Sequence, residues 1–177
     1  AAVTALFLFL AGERQRTGIV FWVMGGLAGG NWWSVQILLP GAVVGSVVTW
    51  IFGRELNALA LGDEQATHLG VNPVLIKRVL LIVATLMTSV AVAMSGTIGF
   101  VGLVIPHVMR LLIGPEHRWL VVTSAVGGAA FLVLADLAAR SVVAPAEMPV
   151  GIVTAVVGGP FFLYLLRVRL VRPTSSG

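Results

Sequence analysis

Asp136 and Arg140 stand four residues apart near the end of an apolar run. A charged carboxylate at bilayer depth costs about 2.5 to 3.5 kcal/mol on insertion scales. An acid kept there is a candidate for proton chemistry, as in a secondary transporter that moves a proton with its cargo. The same spacing puts Arg140 on the helical face of Asp136, so the two can instead form an i,i+4 ion pair near an interface. That structural account is the stronger of the two. Elsewhere reactive side chains are sparse. His107 follows Pro106, and His117 lies in GPEHR. Neither has a second histidine or a carboxylate at metal-ligand spacing, since Glu116 is adjacent to His117 and points elsewhere. Ser95, in MSGT, lacks the GxSxG setting of a nucleophile elbow. The absence of cysteine removes disulfides, thiolate ligands and thiol nucleophiles together. No catalytic residue and no metal site are expected.

The densest polar stretch is LNALALGDEQATHLGVNP, residues 56–73, set between two apolar runs. Leu56, Leu59 and Ala60 fall at i, i+3 and i+4, a short amphipathic turn that Gly62 breaks. Asp63 is expected to cap a second short helix carrying Glu64, Gln65, Ala66, Thr67, His68 and Leu69, with Gly70 just past its end. Asn72 and Pro73 suit the N-cap and first position of the next helix. The insert therefore reads as two small helices outside the membrane. A capped, folded segment costs conformational entropy that a flexible connector would not. It is either an interfacial connector or a knob that docks into a partner and carries the partner's motion into the bundle.

The elements around these residues belong in lipid. Of 177 residues, 58% are hydrophobic and 10% charged, against about a quarter charged in soluble domains. The fold class expected is all-α, a polytopic transmembrane bundle. The net charge of +4 is a topology signal here, and no nucleic acid is expected as a partner. The opening AAVTALFLFLAG is too short for a span and lacks the basic start of a signal peptide; it reads as the tail of a severed helix in a fragment. Spans are expected at about 1–12 (truncated), 18–29, 35–53, 79–95, 98–112, 119–140 and 150–167, with 54–73 on the cytoplasmic side. The run 79–106 could be one tilted helix or two hinged at SGTIG, 95–99. Charge decides: folding back near Gly96 places ten of the eleven Lys and Arg on one side, with Arg140 alone opposite, whereas a single crossing gives six against five. Two helices follow, with the basic side cytoplasmic.

Small residues recur inside the spans. Gly41 and Gly45 form a GxxxG pair, Gly151, Ala155 and Gly159 repeat every fourth position, and Gly96, Gly99 and Gly102 every third. Such faces let helices approach closely in lipid, or line a path for solute. Pro40 and Pro160 read as kinks that neighbouring helices tolerate. Trp32 and Trp33 fit an outer aromatic belt and Trp119 an inner one, while Trp22, Trp50, Phe100 and Phe161 fit either lipid or a path.

LNALALGDEQATHLGV, SGTIGFVGLVIPHVMRLL, ADLAAR and EMPVGIVTAVVGGPFFLYLL, in this order and spacing, resemble the FecCD-type permease subunits of bacterial ABC importers for iron-siderophores, haem and cobalamin. The likeness covers nearly all of residues 18–170. It implies a type II importer permease of ten spans, of which this chain is the C-terminal half, in the bacterial inner membrane. It also implies a second permease subunit, cytoplasmic ATP-binding subunits, a periplasmic or lipid-anchored substrate-binding protein, and membrane lipids as partners. ATP and Mg would sit on the ATP-binding subunit, since this chain has no GxxxxGK[ST] and would bind no cofactor. By the resemblance Leu61, Gly62, Asp63, Glu64, Ala66, Leu69 and Gly70 would meet the ATPase subunit. Arg140 would meet a glutamate of the binding protein. Gly96, Gly99, Gly102 and Pro106 would form a hinge or line the path. Thr97 stands where the family often has proline, and Gly159 where it often has alanine, both expected in tight turns.

Overall fold

The computed structural model describes residue 9, residues 12–142 and residues 148–171, with backbone alone at 13–16 and 168–171. The expected span 1–12, apart from Phe9 and Gly12, and Arg172 lie outside the described residues. Among the described residues there are eight helices and no strand: α1 Glu13–Met24, α2 Trp32–Ile51, α3 Gly53–Leu59, α4 Asp63–His68, α5 Pro73–Ser95, α6 Val101–Ile113, α7 His117–Val142 and α8 Val150–Val171. Four of them, α2, α5, α7 and α8, are long and apolar enough to cross a membrane. At about 1.5 Å per residue, the 12-residue α1 and 13-residue α6 rise only about 18 and 20 Å. Both fall short of a hydrocarbon core of about 30 Å.

Local chemistry fixes the ends. Asn31 opens α2 by accepting the Ser34 N–H at 2.9 Å. Asn72 opens α5 by accepting the Leu75 N–H at 3.1 Å, with Pro73 at the first helical position. The helix expected at 18–29 stops at Met24, because Gly25 turns to φ +72°. That expected at 98–112 begins only at Val101, because Phe100 lies in the left-handed region at φ 66°. A non-glycine there costs about 1 kcal/mol or more. Its ring seats against Gly158, where an added Cβ would meet the Phe100 side chain.

The chain reverses between Ser95 and Val101, and this unwound stretch is locked to its neighbours. Gly26 N–H donates to Ser95 O at 2.8 Å, Gly151 N–H donates to Gly25 O at 3.2 Å, and Thr97 Oγ1 donates to Val23 O. Irregular backbone survives at membrane depth only where protein satisfies its polar groups, and α1, α8 and the reversal do this for one another. Gly96, at φ +69°, lies so close to Trp22 O that no Cβ fits between them.

Helix α7 is the centre of the bundle, packed on α6, α8, α2 and α3. Its Leu120, Ala135 and Ala139 are buried together with Val104 and Ile105 of α6 and Val150 and Thr154 of α8. Gly45 of α2 receives the Met87 side chain of α5. Large apolar side chains such as Leu81, Leu86, Val126 and Val133 face outward. That pattern suits hydrocarbon around the bundle, where helix association rests on close packing rather than on exclusion of water.

Two ends result. Asn57 bonds His117 and Asp63 bonds Lys77, so the 53–72 insert, the start of α5 and the α6–α7 turn share one end. Arg54, Lys77, Arg78, Arg110 and Arg118 gather there, and α8, starting at the opposite end, brings Arg167 to it. Arg140, near the end of α7, stands at the other end. Trp119 is exposed at the basic end, while Trp32 and Trp33 are exposed at the Arg140 end.

Candidate functional site

At the basic end the insert is a rigid platform. Only Phe52 separates α2 from α3. Gly53 is buried so tightly against the Arg118 side chain that an added Cβ would come 2.5 Å from its Cγ. The Arg118 guanidinium lies 5.0 Å from the Trp50 ring centroid, a cation–π contact. Asn57 Oδ1 accepts the backbone N–H of His117 at 3.0 Å and lies 2.7 Å from His117 Nδ1. Because a backbone N–H can only donate, the Asn57 atom is its oxygen, and Nδ1 must carry the proton that completes the second bond. Asn57 thereby caps α7 from another helix.

Helix α4 is pinned on this base. Ala66 has 0% exposure. Gly70 N–H donates to Thr67 O at 2.9 Å and Val71 N–H to Ala66 O at 3.0 Å, a Schellman pair with Gly70 at φ +81°. The Lys77 ammonium donates to both Asp63 oxygens, at 2.7 and 2.6 Å. Two expectations are corrected here. Asp63 does not cap α4: it is the first helical residue, behind Gly62 at φ +116°, and its carboxylate turns to Lys77. Ala66, expected on the docking face, is instead fully buried, its methyl seating α4 on this chain. The outward surface is formed by Leu61 at 61% exposure, Leu69 at 66%, and Glu64 and Gly62 beside them.

At the opposite end, Arg140 Nε donates to Asp136 Oδ2 at 2.8 Å. The two side chains, 49% and 25% exposed, edge a recess of about 260 Å³ with Trp22, Met94, Met148 and Pro149. Asp136 is thus engaged in the i,i+4 pair.

The four residues expected at a hinge or path separate. Gly96 is interlocked with α1 and is no loose hinge in this conformation: freedom at its own φ is cancelled by the backbone packed against it. Gly99 has open space where a Cβ would go and borders a hollow of about 590 Å³ with Phe100, Gly151 and Ala155. Gly102 is likewise open and borders an apolar groove of about 690 Å³ with Gly41, Gly45, Met87 and Ala91. Pro106, inside α6, cannot donate to the Gly102 carbonyl four residues back. The next residue, His107, meets Phe161 edge-on at 5.7 Å, just after Pro160 of α8. Gly159, expected in a tight turn, is helical with nothing near its Cβ position; the close approach belongs to Gly158, which the every-fourth-residue pattern passes over. The Asn57–His117 pair likewise leaves no mark in local spacing, since 60 residues separate the two.

Among the described residues no group of three His, Cys, Asp or Glu could hold a metal. The described residues thus form two exposed polar ends joined by apolar helices.

Comparison with known proteins adds to this geometry. Residues 1–168 match the FecCD transport family. The chain is 50% identical over 171 residues to the cobalamin import system permease protein BtuC of Halobacterium salinarum, covering 97% of this chain and 46% of that protein. It is 42% identical over 169 residues to the hemin transport system permease protein HmuU of Yersinia pestis, covering 93% of this chain and 49% of that one. A solved structure of a protein assigned to the metal-chelate type of ABC transporter, in an inward-facing conformation, matches with a TM-score of 0.86 at 33% identity. That match covers 94% of this chain and 54% of the other. The chain spans about half the length of the curated relatives it matches.

Proposed function

Because the chain belongs to the FecCD transport family, we propose that it is part of the permease of an ATP-driven importer, carrying a metal chelate across the bacterial inner membrane. The cargo class is that of its relatives, which are named for cobalamin and hemin, with iron-siderophores in the same class. The observation that carries the reading is the platform at the basic end. A folded α3–α4 unit, clamped from below, presents Leu61, Glu64 and Leu69 outward with nothing among the described residues over them. An ATP-binding subunit on the cytoplasmic side would grip it, with ATP and Mg held by that subunit. A second permease subunit would complete the path. A periplasmic or lipid-anchored binding protein would deliver cargo at the Arg140 end.

Sidedness is the direct test. The chain has no cysteine, so single cysteines at Leu61 and Leu69 report on position alone. Both are expected to react with a membrane-impermeant maleimide only from the cytoplasmic face; labelling from the periplasmic face overturns the assignment.

At the other end, Arg140 is a rim cation that orients docking and speeds encounter more than it adds affinity. Arg140→Glu is expected to slow binding-protein association by about three- to tenfold at low salt and to flatten its salt dependence, measured by surface-capture kinetics. Unchanged rates at all salt concentrations would leave Arg140 as an interfacial side chain without a partner protein.

A proton-coupled carrier using Asp136 is the second reading. The Asp136–Arg140 contact at 2.8 Å supports a structural acid instead. Asp136→Asn keeps a side-chain acceptor for Arg140 Nε, and uptake is expected to stay within about twofold of wild type, as for a partly exposed pair worth about 1 kcal/mol or less. Abolished uptake in a fully assembled transporter would favour the carrier.

A further inference from the structure

We propose that α7 is the rod through which the Arg140 end and the platform sense each other, with Asn57 and His117 as positioning residues at its inner joint. The inference rests on the importer reading above and goes beyond it by naming the element and the bonds that link the two docking ends. Helix α7 spans 26 residues, His117–Val142, a rise of about 39 Å at about 1.5 Å per residue. It carries Arg140 near one terminus and His117 and Arg118 at the other. No proline interrupts it, whereas α2, α6 and α8 contain Pro40, Pro106 and Pro160. Its Gly127–Gly128 pair, of a type that can kink a helix, is braced by Met109, Ile105 and Val101 of α6, so a displacement at one terminus is passed along the helix.

The joint is the best-fixed contact between the platform and any spanning helix. Asn57 Oδ1 takes two hydrogen bonds from His117, both in a partly buried setting. Gly53 admits the Arg118 side chain at a distance no other residue would allow, and Trp50 lies under its guanidinium. The competing link, Asp63 to Lys77 on α5, is 59% and 56% exposed, and such surface pairs contribute between about 0 and 1 kcal/mol. The α7 joint nevertheless leaves one polar group unmet. Arg118 Nε is buried without a hydrogen-bond partner among the described residues, so a shift of α3 against α7 can gain a bond that this conformation lacks. A second packing at such a joint is what two distant sites need in order to bias each other.

Thermodynamic reciprocity provides the test. If nucleotide on the motor subunit changes the affinity for the binding protein by some factor, the binding protein must change nucleotide affinity by the same factor. The complete transporter in nanodiscs is titrated with binding protein in the presence and absence of a non-hydrolysable ATP analogue, as wild type, Asn57→Leu, Asn57→Asp and His117→Phe. Asn57→Leu keeps the size but removes the acceptor. It is expected to leave assembly and binding-protein Kd without nucleotide unchanged, while the nucleotide-induced change in that Kd contracts by at least about fivefold, the lower end of usual coupling. Asn57→Asp, which still accepts both bonds, is expected to retain the wild-type factor. A merely structural role would not produce that rescue. His117→Phe removes the ring nitrogens, Nδ1 among them, but keeps the backbone N–H to Asn57; it is expected to fall between them, and it carries the test should Asn57→Leu not assemble. An unchanged factor in both disrupting variants, with both partners bound, overturns the joint and leaves the importer reading standing. A wild type that binds both partners without linkage overturns the rod, and one that binds neither overturns the importer reading itself.

Discussion

Leu69→Asp is expected to cut chelate uptake, and the ATPase activity stimulated by cargo-loaded binding protein, by tenfold or more in a transporter that still folds. Leu69 closes α4 with its side chain 66% exposed, so the change removes little packing from this chain. Surface substitutions of that kind usually stay within about 0.5 kcal/mol. In a docked complex the same side chain would be desolvated, and a buried carboxylate without a partner costs several kcal/mol. Since about 1.4 kcal/mol is tenfold in an equilibrium constant, weakened docking dominates. Glu64→Lys, on the same outward face, is expected to act in the same direction. The pair of measurements is thermal stability of the purified permease, which should not move, against stimulated ATPase activity, which should collapse. Wild-type stimulation in both variants would remove this surface from any role in docking.

Gly96→Ala is expected to destabilise the bundle by about 3 kcal/mol or more, combining backbone overlap with a left-handed φ that alone costs about 1 kcal/mol. The methyl would strike Trp22 O and crowd Gly25 Cα, which would then lie 3.1 Å away. Neither can rotate aside as a side chain does, because Gly26 and Thr97 hold the two strands of the crossing together. The matched control is Gly99→Ala, three residues on, where nothing lies within 4 Å of the new Cβ. It is expected to stay within about 1 kcal/mol of wild type. Melting temperatures of the detergent-solubilised transporter decide the matter; equal losses at the two positions would mean that composition of the turn, and not the crossing, sets stability.

The class of fold is legible from composition alone, because a chain this apolar cannot cover a water-facing surface. The return between Ser95 and Val101 is placed by the glycines of SGTIG but decided only through charge, since no proline and no polar run marks it. Helix starts at Asn31 and Asn72 follow local rules that act within three residues. Asp63 shows where local rules stop: a capping geometry lost to a lysine fourteen residues away that offers a full charge. The exposed face of the insert is legible as a surface but not residue by residue, because Ala66 and the C-cap Leu69 lie three residues apart on one short segment and only tertiary packing decides which is buried. Gly158 and the Asn57–His117 joint depend on partners 58 and 60 residues distant. Spacing along a single helix carries no record of them.

Trp50, lying beneath the Arg118 guanidinium at 5.0 Å, is one of five tryptophans. Indole emission responds to a cation over the ring and to entry of water, and this contact joins the spanning helices to the platform at the basic end. With Trp22, Trp32, Trp33 and Trp119 replaced by phenylalanine, the chain would contain a single built-in fluorophore at that joint. Its intensity would follow each turnover on the microsecond to millisecond scale of collective helix motion, with no dye attached to the protein.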